Sequence, residues 1–397
     1  MANVYIEFEN NIEKAYEFFK EAFKYNNNNY ELILAMADIN MLEEQYEDAE
    51  EKCKKVLNLA PNNPKALWIL GHVLMAQNEI EKGVFGFAKV YKRDETNFIA
   101  LALMFMFMRK NGKLCDIKAE LDKINEKMGH TNEPGLCFCR GLYYYYRKNP
   151  QEALNNFQRA RRSKLYSEYT LQVMIDIYLN PDQDILFSHV ENLRVKTFDD
   201  HNLDAVEVLI NELPQKTLSE EKDTLTSYLT MFKDQAYPDA EKVLEEILEE
   251  NPKFIPALNA QALLRVLRKN VGGKPVKDIL RNMSKGCTYN PRWGEECERC
   301  WILVADYLIS INKLNIAEKE IQKILKYNQS SIKAYEYYGI INEKMEKWEE
   351  AAEYYMQAWA ITEELDNGIG YRLAGMYLKS NSYVQCINIC KKVSIFV

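Results

Sequence analysis

Glycine and proline are scarce in this sequence, 15 and 11 among 397 residues. With Lys, Glu, Leu and Ala plentiful, that scarcity favours helix over strand. An excess of cations is also missing: the formal net charge is −8, which argues against nucleic acid as the main partner, since phosphate binding needs a concentrated cationic surface. The local cluster Arg159, Arg161, Arg162 and Lys164 falls at the end of an expected helix, where cations complement the helix dipole without any ligand. No apolar run is long enough to cross a bilayer. The longest, Phe98 to Met108, stops at Arg109 and Lys110 and reads as a helix buried between neighbours, so no direct membrane span is expected. Met1 to Asn10 has neither the basic nor the apolar region of a secretory signal. Nine scattered cysteines then suggest reduced thiols in a cytoplasmic setting.

What the sequence does have is self-similarity. Small residues recur twelve apart, each pair followed four later by a bulky or apolar residue: Ala37, Ala49 and Cys53; Gly71, Gly83 and Phe87; Gly141, Ala153 and Phe157. The pattern returns as Ala305, Ala317 and Ile321; Gly339, Ala351 and Tyr355; and Ala374, Cys386 and Cys390. Ala15, Ala49 and Gly83 are 34 apart, as are Ala317 and Ala351, the period of the tetratricopeptide repeat. In such a repeat two antiparallel helices approach closest where each carries its small residue, and the large residue is expected to fill the groove towards the next repeat. Aromatic residues Tyr46, Tyr237, Trp348 and Tyr383 are expected to plug the hairpin corners, and Pro61 and Pro252 to follow helix ends.

The fold class is therefore all-α, a superhelical solenoid of tetratricopeptide-repeat helix pairs. Residues 1–166 form one repeat array with an incomplete first repeat, 167–220 an irregular helical connection broken at Asn180-Pro181-Asp182, and 221–397 a second array with a longer connection at 270–297. Polar caps are expected at solenoid ends. Phe18, Phe19 and Phe23 near the start and the Ser-Ile-Phe-Val tail instead suggest a fragment, or ends covered by another chain.

A search for chemistry gives no catalytic residue, no cofactor site and no metal site. Gly272-Gly273-Lys274-Pro275 lacks the upstream glycine and the Ser/Thr of a phosphate loop. Cys287, Cys297 and Cys300 want a fourth zinc ligand, and none of the four histidines is near in sequence. Paired acids such as Glu245-Glu246 and Glu349-Glu350 read as solvated helix faces. Tyr143 to Tyr146 surround an inner helix packed on both sides. The inner positions where heat-shock cochaperones clamp a peptide carboxylate hold Leu34, Asp38, Trp68, His72, Glu336 and Ile340, a set that cannot grip one. Trp68, His72, Phe138 and Tyr145 are the candidate partner-binding residues if they face the groove, and core residues if they pack between repeats.

The C-terminal third is more specific than a generic repeat. Cys300-Trp-Ile-Leu-Val-Ala-Asp-Tyr307, Lys333-Ala-Tyr-Glu-Tyr-Tyr-Gly339 and Gly370-Tyr-Arg-Leu-Ala374 with Tyr377-Leu-Lys379 resemble the C-terminal region of the tetratricopeptide-repeat protein 21 family, the large all-repeat subunit of intraflagellar transport complex A. Tyr178-Leu-Asn-Pro-Asp182 and the connection from Asn290 to Trp301 are similar to it as well. Family members are far longer, and the ending from Ser394 departs from their closing helices. The resemblance implies a non-enzymatic scaffold of the cilium and ciliary base supporting retrograde transport and the import of membrane cargo. Its partners would be other complex A subunits that combine WD propellers with helical repeats, in a hetero-oligomer. A cytosolic chaperone adaptor and the repeat arm of an enzyme with its catalytic domain elsewhere are the competing readings.

Overall fold

The repeat is set at three points in the chain: a side-chain cap that starts many of the first helices, a left-handed residue that ends them, and a small residue at the helix crossing. The computed structural model describes residues 12–26, 29–129, 131–179, 200–214, 219–267, 279–284, 287 and 293–394. Asn180-Pro181-Asp182 and Gly272 to Pro275 lie outside the described residues. The chain divides into two compact units, Met1–Asn111 and Gly112–Val397.

Unit 1 holds α1 (Ile12–Tyr25), α2 (Tyr30–Leu42), α3 (Tyr46–Leu59), α4 (Pro64–Ala76), α5 (Ile80–Arg93) and α6 (Phe98–Lys110). Unit 2 opens with α7 (Leu114–Met128), α8 (Pro134–Tyr146), α9 (Pro150–Ala160), α10 (Ser167–Leu179) and α11 (Asp200–Glu212). It continues through α12 (Ser219–Phe232), α13 (Tyr237–Glu250), α14 (Ile255–Leu267), α15 (Gly294–Ser310) and α16 (Leu314–Tyr327). The last four helices are α17 (Ile332–Lys344), α18 (Trp348–Ile361), α19 (Asn367–Lys379) and α20 (Tyr383–Ser394). Both units are all-α, built from the helix pairs of a tetratricopeptide-repeat solenoid. Among the described residues no helix is long and apolar enough to cross a membrane.

The starts repeat every 34 residues. Asn29, Asn63 and Asn97 precede α2, α4 and α6, and each side chain accepts a hydrogen bond from a first-turn amide, at 3.1 Å from Glu31, 3.0 Å from Ala66 and 3.0 Å from Ala100. Each cap satisfies an amide that has no partner within the helix. The stops keep nearly the same period, 34 residues except for 35 between Glu346 and Asn381. Glu44, Asn78 and Gly112 have φ of 61°, 57° and 71°, and Asn312, Glu346 and Asn381 have 58°, 61° and 59°. The following amide reaches back to an orphan carbonyl, as in Glu79 N–H to Leu74 O at 2.9 Å and Lys347 N–H to Asn342 O at 2.9 Å. This Schellman closure needs a left-handed residue just past the helix. Asn and Gly take that conformation readily, while Glu44 and Glu346 hold it at a cost of about 1–2 kcal/mol.

The crossings differ from the expectation in one respect. A Cβ on Gly141 would lie 2.6 Å from the Phe157 ring, and one on Gly339 would lie 2.6 Å from the Tyr355 ring. The large residue of the second helix therefore rests on the small residue of its own pair, while Phe87 and Tyr355 also pack towards the next repeat, against Phe107 and in one core cluster with Ile369 and Leu373. In unit 1 it is α6 that closes on the glycines: Leu103 sits 2.6 Å from a Cβ on Gly71, and Phe107 covers Gly83. Every residue of α6 from Phe98 to Met108 is buried, as its apolar sequence required. The expectation of bare phenylalanines near the start fails for Phe19, which is buried against Met36 and Ile39, while Phe18 stays 36% exposed.

Gly339→Ala should destabilise the protein by about 1–3 kcal/mol, because the new methyl meets a ring that cannot flex away. Gly375→Ala in α19, where a Cβ meets nothing within 4 Å, should stabilise by about 0.5–1 kcal/mol through helix propensity alone. Thermal unfolding of the two variants, read against the parent protein, should move in opposite directions.

Candidate functional site: the polar contacts of α8 in unit 2

Four consecutive tyrosines on one helix must point in four directions, and in α8 each finds a different environment. Tyr146 is buried, whereas Tyr144 is only half-buried. Tyr145 donates from its hydroxyl to Asp176 Oδ2 of α10 at 2.8 Å. The other oxygen of Asp176 accepts from Arg299 of α15. Arg299 also donates to Glu296 Oε1 at 2.8 Å, and Asn259 of α14 donates to Glu296 Oε2 at 2.7 Å and to its carbonyl oxygen at 3.0 Å. One chain of charge-assisted hydrogen bonds thus ties α8, α10, α15 and α14 together, its longest link joining Asp176 to Arg299 across 123 residues of sequence. Burial, then the field of Asp176, pushes the Tyr145 hydroxyl well above its usual range. Burial likewise raises the Glu296 carboxyl, and the Arg299 guanidinium pulls it back only in part. Burial opposes the charge on Arg299, but Asp176 and Glu296 outweigh it and hold its pKa above the ordinary value.

Tyr143 and Arg147 carry the second set of contacts, to the turn between α18 and α19. The Tyr143 hydroxyl donates to Glu363 Oε1 at 2.8 Å. Arg147 donates through Nη1 to the carbonyl of Ile361 and lies 3.3 Å through Nη2 from the same Glu363 oxygen. Lys118 of α7 stands 3.7 Å from Glu363 Oε2. The Arg147 side chain is only 6% exposed, and its Nε makes no hydrogen bond. Glu363 and the next residue, Glu364, both have positive φ, 55° and 65°. Burial, then the bond to Glu363, raises the Tyr143 hydroxyl.

The residues singled out in the sequence fall in three places. Trp68 and His72 lie in unit 1, half-buried and one helical turn apart, with ring centroids 5.5 Å apart edge to face. Phe138 is not a groove residue. It is 1% exposed and wedged among Phe157, Tyr166 and Tyr169 at centroid distances of 6.2, 5.0 and 5.7 Å, because α9 and α10 close over that side of α8. Tyr145 is half-buried with its hydroxyl committed to Asp176. Asp38 and Glu336, among the inner positions considered for a clamp, pair with Lys65 at 2.7 Å and Lys333 at 2.9 Å. Cys287, Cys297 and Cys300 share one apolar core cluster with Trp301, and among the described residues no group of three or more His, Cys, Asp and Glu could hold a metal ion. In the cationic stretch, Arg159 bonds Asn132 at 3.1 Å and Arg161 pairs with Glu212 at 3.1 Å.

Two family models match the chain. Residues 205–394 match the tetratricopeptide repeat protein 21 C-terminal ARM domain, and residues 64–179 match the fifth ARM repeats domain of the same proteins. The chain belongs to the tetratricopeptide repeat protein 21 family. Tetratricopeptide repeat protein 21A of Mus musculus is 26% identical over 97% of this chain, and 21B of Xenopus laevis is 27% identical over 99%. The Caenorhabditis elegans homolog is 26% identical over 96%. The chain spans 30%, 31% and 29% of the lengths of these relatives, and corresponds to the C-terminal region of the family. Among solved structures, yeast Tom70 aligns over 100% of this chain and 90% of its own at 13% identity, with a TM-score of 0.39. The family and the fold are those of helical repeat scaffolds, and no catalytic family is indicated.

Asp176, Arg299, Glu296, Asn259 and Glu363 escaped the sequence reading for one reason: apart from the local pair of Glu296 and Arg299, their partners lie between 31 and 220 residues away, and no local pattern marks them. The four-tyrosine run of α8 was the one available signal. A double-mutant cycle of Asp176→Asn and Arg299→Gln should give a coupling energy of about 1–3 kcal/mol, each single change costing about 2–4 kcal/mol. Additive effects in denaturant unfolding would mean that the pair does not join α10 to α15.

Proposed function

We propose that this chain is a non-enzymatic, protein-binding part of an intraflagellar transport complex A subunit, supporting retrograde transport and the import of cargo in cilia. The observation that carries the reading is the family match, which runs through nearly the whole chain rather than one repeat. A generic repeat array would resemble many scaffolds over short stretches; a match of this extent ties the chain to one family's C-terminal region.

In this reading the partners are complex A subunits with WD propellers and helical repeats, and the setting is the cytoplasm, the cilium and its base. Trp68 and His72 are the candidate partner contacts in unit 1, since a half-buried Trp can reach hot-spot energies of about 2 kcal/mol or more. Phe138 and Tyr145 are withdrawn from that set because their rings and hydroxyl serve the fold.

Affinity purification of the tagged full-length protein from ciliated cells, followed by lysine crosslinking and mass spectrometry, tests this function. Lys92 in unit 1 and Lys242 in unit 2 are exposed reporters. Crosslinks from them to propeller-containing transport subunits are expected. Recovery of chaperones alone, or of a separate catalytic domain as the sole partner, would remove the ciliary assignment and leave the repeat scaffold.

A further inference from the structure

The turn that joins α18 to α19 sits in unit 2 as a ligand sits in a receptor. Glu363 reaches three donors that belong to α7, α8 and the residue after α8: Lys118, Tyr143 and Arg147. Two cations and a phenol converging on one carboxylate make an anion site. The anion comes from the chain itself, 220 residues beyond Tyr143.

Three features make this internal carboxylate a weak occupant. It engages Arg147 through Nη2 alone, at 3.3 Å, while Nε of the same buried guanidinium is idle. A guanidinium holds a carboxylate best through two parallel N–H bonds, and here that fork is left open. The backbone delivering Glu363 is also unfavourable, because two successive non-glycine residues take the left-handed conformation, each at about 1–2 kcal/mol. Finally, the site is reachable: the Glu363 side chain is 32% exposed and that of Lys118 57%. The turn is short, and Glu364 anchors its far side to Lys392 of α20 at 2.5 Å, so Glu363 can swing out without unwinding α18 or α19.

We infer that the Tyr143, Arg147 and Lys118 site is a docking point for a carboxylate of an acidic partner segment, held shut in the free protein by Glu363. A partner Asp or Glu would take the place of Glu363 beside Nη2 of Arg147, Lys118 and Tyr143. The inference rests on the reading of this chain as a protein-binding scaffold and adds the chemistry of one partner segment. It does not require that the partner belong to complex A.

The test uses the full chain and a fluorescein-labelled hexaglutamate peptide as probe, with a hexaglutamine peptide as control, read by fluorescence anisotropy. Glu363→Ala should bind the acidic probe at least about tenfold more tightly than the parent, since removing the internal competitor frees a charge-assisted site. Lys118→Gln, at an exposed position that leaves folding intact, should reverse much of that gain in the Glu363→Ala background. Arg147→Lys, which keeps the charge but loses the fork, should reverse it too. Glu363→Ala binding no tighter than the parent overturns the proposal, and so does a gain that survives both second substitutions or appears equally with hexaglutamine. Crosslinking to transport subunits is a separate readout, so failure here and failure of the ciliary assignment can be told apart.

Discussion

A glycine beneath an aromatic ring is the contact on which the helix pairing depends. In α8 and α17 the absence of a Cβ lets the ring of the second helix, Phe157 or Tyr355, come down onto the first helix's backbone. Each ring is fully buried there. The contact fixes the depth at which the two helices interlock and, with it, the angle at which the next pair can stack, because packed interiors have no spare volume to absorb a shift. In unit 1 the same device is used across a repeat boundary, with Leu103 and Phe107 of α6 lowered onto Gly71 and Gly83. The sequence spacing alone could not separate the two uses. A small residue twelve positions before another says that something approaches closely, and only the structure shows which neighbour does so.

The legibility of the rest follows the range of the interactions. The helix pairs could be read because small residues, prolines and apolar runs act within a turn or within one repeat. The caps at Asn29, Asn63 and Asn97 keep the same period, a local signal that sequence spacing carries. Left-handed stops were half-visible: Asn78, Gly112, Asn312 and Asn381 carry residues suited to positive φ, whereas Glu44, Lys148 and Glu346 take it because the Schellman closure on either side leaves no alternative. The polar contacts of α8 were invisible. Asp176 and Arg299 are ordinary helix residues until the folding of unit 2 sets them side by side.

The same contacts bear on how a repeat scaffold of this kind can bind anything. A tetratricopeptide groove is usually thought of as an open concave face awaiting a peptide, yet around α8 unit 2 fills that space with its own side chains. Tyr145, Asp176, Arg299 and Glu296 satisfy one another, and an unpaired member of such a network would carry a desolvation cost of several kcal/mol. A partner cannot enter there by adding contacts; it would have to replace some. The network of Asp176, Arg299 and Glu296 resists replacement because each of these side chains is less than a quarter exposed. The Glu363 contact does not share that protection, since its carboxylate is partly solvated, its backbone is strained and its arginine is only half-used. The difference between the two networks lies in completeness of pairing rather than in number of charges. That difference separates a contact that holds the solenoid together from one that a partner of the right charge can displace.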